Sequence, residues 1–405
     1  MTNSLPTTLP LSKLVTEMQE SATLKMAKMA RELKAQGKDV IDLSLGEPDF
    51  DTPVHIKEAA KKALDNGYTK YTPVNGLLEL RQAIVNKLAR ENDLHYTVNQ
   101  IVVSNGAKQS VYNLCMALLD PGDEVILPAP YWVSYAEIVK MAGGVPVIAN
   151  SSIEQDFKST PEEIEALITD RTKFILYSSP CNPSGSVFSF EELQALALML
   201  QAHEHVLVVS DEIYEHINFT DRHYTIASME GMKDRTVIIN GMSKGYAMTG
   251  WRLGYIAGPD WIADACTKIQ GQVTSGASSF GQKAAAVALE SDHTPTKEMV
   301  KAFHQRRDLI INLLEQIPLL LVNRPQGAFY IFPDVSAYFG RTSTGGYHVK
   351  DADDMSLYLL AEARVSTVSG VAFGNEKCIR LSYATSDEKL KDAAERIRKA
   401  LSILI

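Results

Sequence analysis

The 405-residue sequence has no long apolar run, no block of basic residues and only four cysteines. Each shortage removes a class of function. No apolar stretch approaches the ~20 residues that span a bilayer, so membrane insertion is not expected. The 40 Lys and Arg are outnumbered by 49 Asp and Glu, for a net charge of -9. Without a basic face, nucleic acid is not an expected partner. Cys115, Cys181, Cys266 and Cys378 are scattered and form no C-x-x-C pair. Free thiols in a reducing cytoplasm are the simplest account. His203 and His205 stand two apart with nothing near to complete a metal site, and a solvated loop is the expected reading. Met1-Thr2-Asn3-Ser4-Leu5-Pro6 lacks the charged-then-apolar order of an export signal. Internal repeats and low-complexity segments are also missing.

What is present is ordinary for a globular enzyme: 45% apolar and 22% charged residues. The length exceeds what one core usually holds, so two domains are expected. Residues 1–20 are polar and read as an irregular arm. Apolar spacing predicts helices over 21–36, 52–66 and 77–91, with Gly37 as a stop. Between the last two, the turn-rich loop 67–76 carries Tyr71. Val40 to Leu45 reads as a strand entering Gly46-Glu47-Pro48-Asp49-Phe50, a stiffened loop suited to offering backbone N–H groups to a ligand. Short apolar strands then alternate with helices: Ile101–Ser104, Glu124–Leu127, Lys173–Tyr177, Val206–Ser210 and Thr236–Ile239. That alternation predicts an α/β fold with a mostly parallel central sheet, helices on both faces and ligands at the carboxyl ends of the strands. Beyond residue 300 a helix rich in Lys and Arg runs to Ile317. A smaller α+β unit follows, with a strand over Ile379–Ala384.

The chemistry concentrates in Asn240-Gly241-Met242-Ser243-Lys244-Gly245-Tyr246-Ala247-Met248-Thr249-Gly250-Trp251-Arg252-Leu253-Gly254. A lysine amine at a strand exit can condense with an aldehyde, and Ser243 and Arg252 can hold a phosphate. The same residues fit G-x-S-x-G, which would make Ser243 the nucleophile of a hydrolase with His293, His304 or His348 as partner. Asp211 ends an apolar strand, where a carboxylate needs a cation or serves as a helix N-cap. A pyridinium nitrogen is such a cation, and Tyr214 and Asn182 could hydrogen-bond a phenolate oxygen of the same ring. Gly106-Ala107-Lys108 opens a helix directly after a strand and suits a phosphate. Trp132 could stack on a flat ring or fill a core. Arg380, mid-strand among apolar residues, is either paired internally or kept for a carboxylate.

Taken together, these residues resemble the fold-type I pyridoxal-phosphate enzymes, and among them the class I aminotransferases of the bacterial aspartate/prephenate subgroup. The shared motifs are Ser-Lys-x-x-x-x-x-Gly-x-Arg-x-Gly around Lys244, Asn-Pro-x-Gly at 182, Asp-Glu-x-Tyr at 211 and Arg-Leu-Ser-Tyr-Ala at 380. The resemblance runs from about Ser21 to the C-terminus. It implies an arm with part of a small domain over 1–50, a large cofactor domain over 51–300 and a small domain over 301–405. It also implies a ping-pong exchange of amino groups between aspartate, or another acidic amino acid, and 2-oxoglutarate. In that family the matching lysine forms the internal aldimine and then shuttles a proton, which is the role expected of Lys244. Asp211 would face the pyridine nitrogen, Asn182 and Tyr214 the 3′-oxygen, and Trp132 the ring. Gly106, Ala107 and Lys108 backbone, Ser243 and Arg252 would hold the phosphate, joined by Tyr71 from the partner of a homodimer with shared sites. Gly46, Trp132, Asn182 and Arg380 would bind the substrate, Gly46 and Arg380 at its α-carboxylate, and the Lys108 side chain would meet its distal one.

The sequence departs from the pattern in two places. Where many relatives read Lys-Pro-Ser-Ala-Thr, this chain reads Gln19-Glu20-Ser21-Ala22-Thr23, which weakens the case for prephenate. The arginine that other aspartate aminotransferases use for the distal carboxylate has no counterpart. Alternatives are an aminotransferase for aromatic amino acids or prephenate, a β-eliminating lyase on the same fold, and the serine hydrolase. A ligand-sensing regulator would need a DNA-binding domain that twenty polar residues cannot form.

Overall fold

The computed structural model describes residues 11–405. Met1–Pro6 therefore lies outside the described residues. Where the arm was expected to be irregular, Lys13–Glu17 is a short helix whose N-cap, Ser12, accepts from the Val15 N–H. The three predicted N-terminal helices form over Ala22–Ala35, Val54–Asp65 and Leu78–Asn92. Gly37 takes φ +77°, the left-handed conformation that ends the first of them. The strand expected over 40–45 is only Ile41–Asp42, paired in parallel with Val365–Ser366. Leu43 remains tied to the C-terminal unit, its carbonyl accepting from the Ser382 N–H at 2.8 Å.

The large sheet has seven strands: β1 Ile101–Ser104, β2 Glu124–Pro128, β3 Val145–Ala149, β4 Thr172–Ser178, β5 Leu207–Asp211, β6 Thr236–Gly241 and β7 Gly254–Ala257. Their spatial order is β1-β7-β6-β5-β4-β2-β3. Only β7 runs against the others, antiparallel to both β1 and β6. β1 to β6 thus deliver their carboxyl ends to one edge. Alternate residues fill opposite faces. Val102, Leu127, Leu176, Val209 and Ile239 pack into one cluster. Ile126, Ile175 and Val208 enter a second, and Ile101, Val103 and Ile238 a third. Burial on both faces is the reason these strands read as unbroken apolar runs rather than alternating ones.

A second framework is built from the C-terminal residues with the start of the chain. Val368–Ser369, Ile379–Ser382 and Tyr330–Ile331 make an antiparallel three-stranded sheet with Ile379–Ser382 in the middle. The basic helix spans Thr294–Leu314, ending before Ile317, and packs on Asp387–Ser402. Their shared core takes in Ile41 and Leu43, and also Ile213, Tyr214 and Ile217 from beyond β5. The turn after β5 is thereby clamped between the two frameworks. No helix among the described residues is long and apolar enough to cross a membrane.

Candidate active site

A cavity of about 390 Å3 opens at the carboxyl edge of the sheet. β5 ends in Asp211, and the turn beyond it brings Tyr214. β6 leads to Ser243 and Lys244, β4 to Asn182, β2 to Trp132, and β1 to Ala107 and Lys108. All of these line the cavity, together with Gly46, Arg252 and Arg380. The Ser243 hydroxyl has no histidine bonded to it among the described residues. His293 packs against Tyr246, His304 stacks on Phe219, and His348 meets Thr342, so no hydrolase triad assembles.

Lys244 and Asp211 are both held away from their ordinary charge states. Burial lowers the Lys244 amine to about 8, opposed by the Glu47 carboxylate and assisted by the Arg380 and Arg252 charges. Its Nζ donates to the Gly46 carbonyl at 2.5 Å. Asp211 is raised to about 6 by burial, against the Tyr135 hydroxyl and the Ile213 N–H that hydrogen-bond it. Tyr135 Oη donates to Oδ2 at 2.6 Å, and the Ile213 N–H reaches Oδ1 at 3.2 Å. That second bond is a local turn, and no helix begins there, which removes the N-cap reading. An amine poised near neutrality faces a buried carboxylate that carries two hydrogen bonds but no ion pair. Such perturbed pairs in a cleft mark functional sites.

Arg380 meets no carboxylate among the described residues: it is 1% exposed, yet it forms no ion pair there. Nη1 donates to Asn182 Oδ1 at 2.8 Å and Nη2 to the Ser44 carbonyl at 2.6 Å, while Nε has no partner. Tyr330 and Phe373 cover the guanidinium, with ring centroids 4.5 and 4.9 Å from Cζ. Burial lowers its pKa. A desolvated guanidinium packed against two aromatic rings, with donor capacity left over, suits a carboxylate that arrives from the cavity. Gly46 is needed beside it, because a Cβ there would lie 2.5 Å from Tyr330 Oη.

The opposite side of the cavity is built for an anion. Gly106, at φ +85°, caps the helix Ala107–Leu118, and a Cβ on it would strike Arg252 Nη2 at 2.4 Å. Gly254 of β7 lets that helix start approach closely, since its Cβ would lie 2.3 Å from the Ala107 N. Free N–H groups at a helix start favour a phosphate. Arg252 is itself left-handed at φ 55°, with Nη1 bonded to the Thr249 carbonyl at 2.9 Å. Lys108 lines the cavity with Nζ 4.8 Å from the Trp132 ring centre, and the residue is also exposed to solvent. Its pKa is lowered, first by burial and then by Arg252.

Tyr71 is not brought to this cavity; it is 99% exposed on the loop between two helices. Three lining residues had not been singled out from sequence. Tyr135 positions Asp211. Tyr330 shares a 2.8 Å hydrogen bond between hydroxyls with Tyr214 and covers Arg380. Glu47 meets Thr249 at 3.0 Å and faces Lys244 electrostatically. A buried tyrosine hydroxyl needs a partner, but nothing in sequence says which one.

Residues 38–397 match the family model described as aminotransferase class I and II. An aspartate/prephenate aminotransferase of Cereibacter sphaeroides is 47% identical over 390 residues, covering 96% of this chain and 98% of that one. Among solved structures, the aspartate aminotransferase of Rhizobium meliloti is 44% identical with a TM-score of 0.95, covering 98% of this chain and all of the other. That of Thermus thermophilus, solved with maleate, is 40% identical with a TM-score of 0.91 over 97% of this chain and 100% of its own. The lysine, the buried aspartate and the buried arginine of this cavity therefore lie within a match over nearly the whole chain, and the chain belongs to the class I and II aminotransferases, enzymes that depend on pyridoxal phosphate.

Proposed function

We propose that the chain exchanges amino groups between aspartate, or a similar acidic amino acid, and 2-oxoglutarate, in two half-reactions that use one site in turn. The observation that carries this reading is Arg380: a buried guanidinium without a counter-ion, facing the same cavity as a lysine tuned to about 8. Pyridoxal phosphate supplies an aldehyde that condenses with amines and a ring that accepts the electron pair of a broken bond. The residues present fit it. Asp211 lacks a cation where the ring nitrogen would lie, and Tyr214 and Asn182 offer hydrogen bonds toward its 3′-oxygen. Trp132 gives a stacking face. The Gly106-Ala107-Lys108 backbone, Ser243 and Arg252 form the phosphate cradle. Gly46 and Arg380 would hold the substrate α-carboxylate, and Lys244, near neutrality at physiological pH, can both take and return the α-proton.

The acidic preference rests on Lys108, which lines the cavity with its ammonium over Trp132, and agrees with the aspartate and maleate in the names of the relatives. Gln19 stands where many relatives carry lysine, which makes prephenate a poor substrate. Tyr71, exposed on its own chain, would complete the site of a partner subunit in a C2 homodimer. Arg380 on the C-terminal framework (residues 301–405) would draw that unit toward the cofactor-binding one (51–300) when substrate binds. Four buried free cysteines suit the reducing cytoplasm. The test is a single-turnover half-reaction over a panel of amino acids, read from the cofactor spectrum. Conversion to the amine form, fastest with aspartate and glutamate, is the expected result. Release of pyruvate without that conversion would instead show a β-eliminating lyase.

A further inference from the structure

Against Gly245 and Tyr246, next to Lys244 in the chain, three nitrogen and oxygen ligands from separate elements converge. Glu91 is the penultimate residue of the helix Leu78–Asn92, His216 lies in the turn after β5, and His293 precedes the helix Thr294–Leu314. One ligand atom from each lies within 4.8 Å of the others. We infer that Glu91, His216 and His293 form a binding site for a borderline transition-metal ion of the zinc type.

An unpaired nitrogen on His293 supports this. Its Nε2 is buried with no partner. In the tautomer protonated at Nδ1, Nε2 presents a lone pair that an ion would satisfy. His216 Nε2 lies 3.2 Å from Glu91 Oε2. On metal binding its proton moves to Nδ1, and the ion takes the place of the hydrogen bond. Tyr246 adds a second orphan. It is 3% exposed, its ring lies 5.3 and 5.8 Å from those of His216 and His293, and its hydroxyl has no partner. Ligands about 2.1 Å from a tetrahedral zinc stand roughly 3.4 Å apart, so closing the site needs movements of about an ångström.

The donor set selects the kind of ion. Arg90 Nη2 contacts Glu91 Oε1 at 2.5 Å, and Lys87 Nζ lies 3.8 Å from Oε2 while it also pairs with Glu215, so Glu91 must release these partners to bind any ion. One carboxylate is too few oxygens for Mg2+ or Ca2+, which take about six or more. Two imidazoles favour zinc and its neighbours. The site lies close to the chemistry: His216 is two residues past Tyr214 and Tyr246 two past Lys244. A Cβ on Gly245 would lie 2.8 Å from His216 Nδ1.

The experiment uses the full-length holoenzyme stripped of metal. ZnCl2 is titrated against a chromogenic chelator, and CoCl2 is titrated separately to read its ligand-field bands. One Zn2+ per chain is expected, with the intense visible bands of four-coordinate Co2+ and no competition from a hundredfold excess of MgCl2. His293→Ala changes an N-cap residue whose side chain makes no capping bond but packs against Tyr246, so it should lower the melting temperature only slightly and keep the cofactor spectrum. It should weaken Zn2+ binding at least tenfold and abolish the cobalt bands. Failure of the wild type to bind zinc stoichiometrically at micromolar concentration, or equal affinity in His293→Ala, would overturn the assignment.

Discussion

Asp211 should make the apoprotein less stable than it could be, in a pH-dependent way. Its carboxyl is raised to about 6 from an ordinary 3.8, with burial as the largest cause. A folded pKa above the unfolded one contributes stability at low pH that is lost as pH rises through the folded value. With one unit worth about 1.4 kcal/mol, the penalty of ionising this group in the fold is about 1.6 kcal/mol at pH 5 and about 3 kcal/mol at pH 8. Asp211→Asn removes the charge and can still accept from Tyr135. Its amide then faces the Ile213 N–H, which offsets about 1 kcal/mol of the gain. The variant apoprotein should therefore be more stable than wild type at pH 8, by about 2 kcal/mol, and its advantage should shrink by about 1.4 kcal/mol at pH 5. Denaturant unfolding of both apoproteins at the two pH values, at one protein concentration, measures this. The same variant should lose nearly all turnover, because a neutral amide cannot stabilise a protonated ring nitrogen. An advantage that is equal at both pH values, or a wild type more stable at pH 8, would show that Asp211 is already neutralised in the apoprotein.

Cofactor incorporation into the apoprotein should report Lys244 directly. With the amine at about 8, its free-base fraction, and so the rate, should climb about tenfold per pH unit up to 8 and then level off. A rise that continues to pH 10 would mean an ordinary lysine. Arg380→Lys keeps a charge but loses the planar fork, so kcat/KM should fall for every amino acid together, by on the order of 1.5–3 kcal/mol. A loss confined to acidic substrates would put Arg380 at the distal carboxylate. Lys108→Ala should cost aspartate a similar 1.5–3 kcal/mol in kcat/KM and leave phenylalanine little changed. Equal losses would place Lys108 in cofactor binding alone. Tyr71→Phe should weaken cofactor retention by about 1.5–3 kcal/mol while sedimentation still shows a dimer. Undiminished retention would remove Tyr71 from the site.

Much of this protein is legible in one dimension because its signals are local. A strand buried on both faces must be apolar throughout, and β1, β2, β4, β5 and β6 all announce themselves that way. β3 and β7 do not. Val145 and Pro146 begin β3 half out of the core at the sheet edge, and Gly254 begins β7 for the sake of a neighbouring helix start. The expected strand at 40–45 shrank to two residues because its partner, Val365–Ser366, is equally short. Lys244, Asp211 and Asn182 could be singled out since each ends or soon follows a strand, where a polar residue has a reason to be, and Arg252 since it stands among small residues eight beyond Lys244.

The sequence by itself determined the α/β alternation and the edge at which chemistry gathers, because strand burial and helix starts depend on nearest neighbours along the chain. Only the tertiary structure decided what each charged group meets. Whether Arg380 is paired or free depends on Ser44 and Asn182, far away in the chain. The tuning of Asp211 depends on a hydroxyl from Tyr135, 76 residues earlier. The Glu91, His216 and His293 cluster joins three segments that no spacing rule connects. Desolvation and hydrogen bonding act through space, so the states of these groups exist only once the chain has closed on itself.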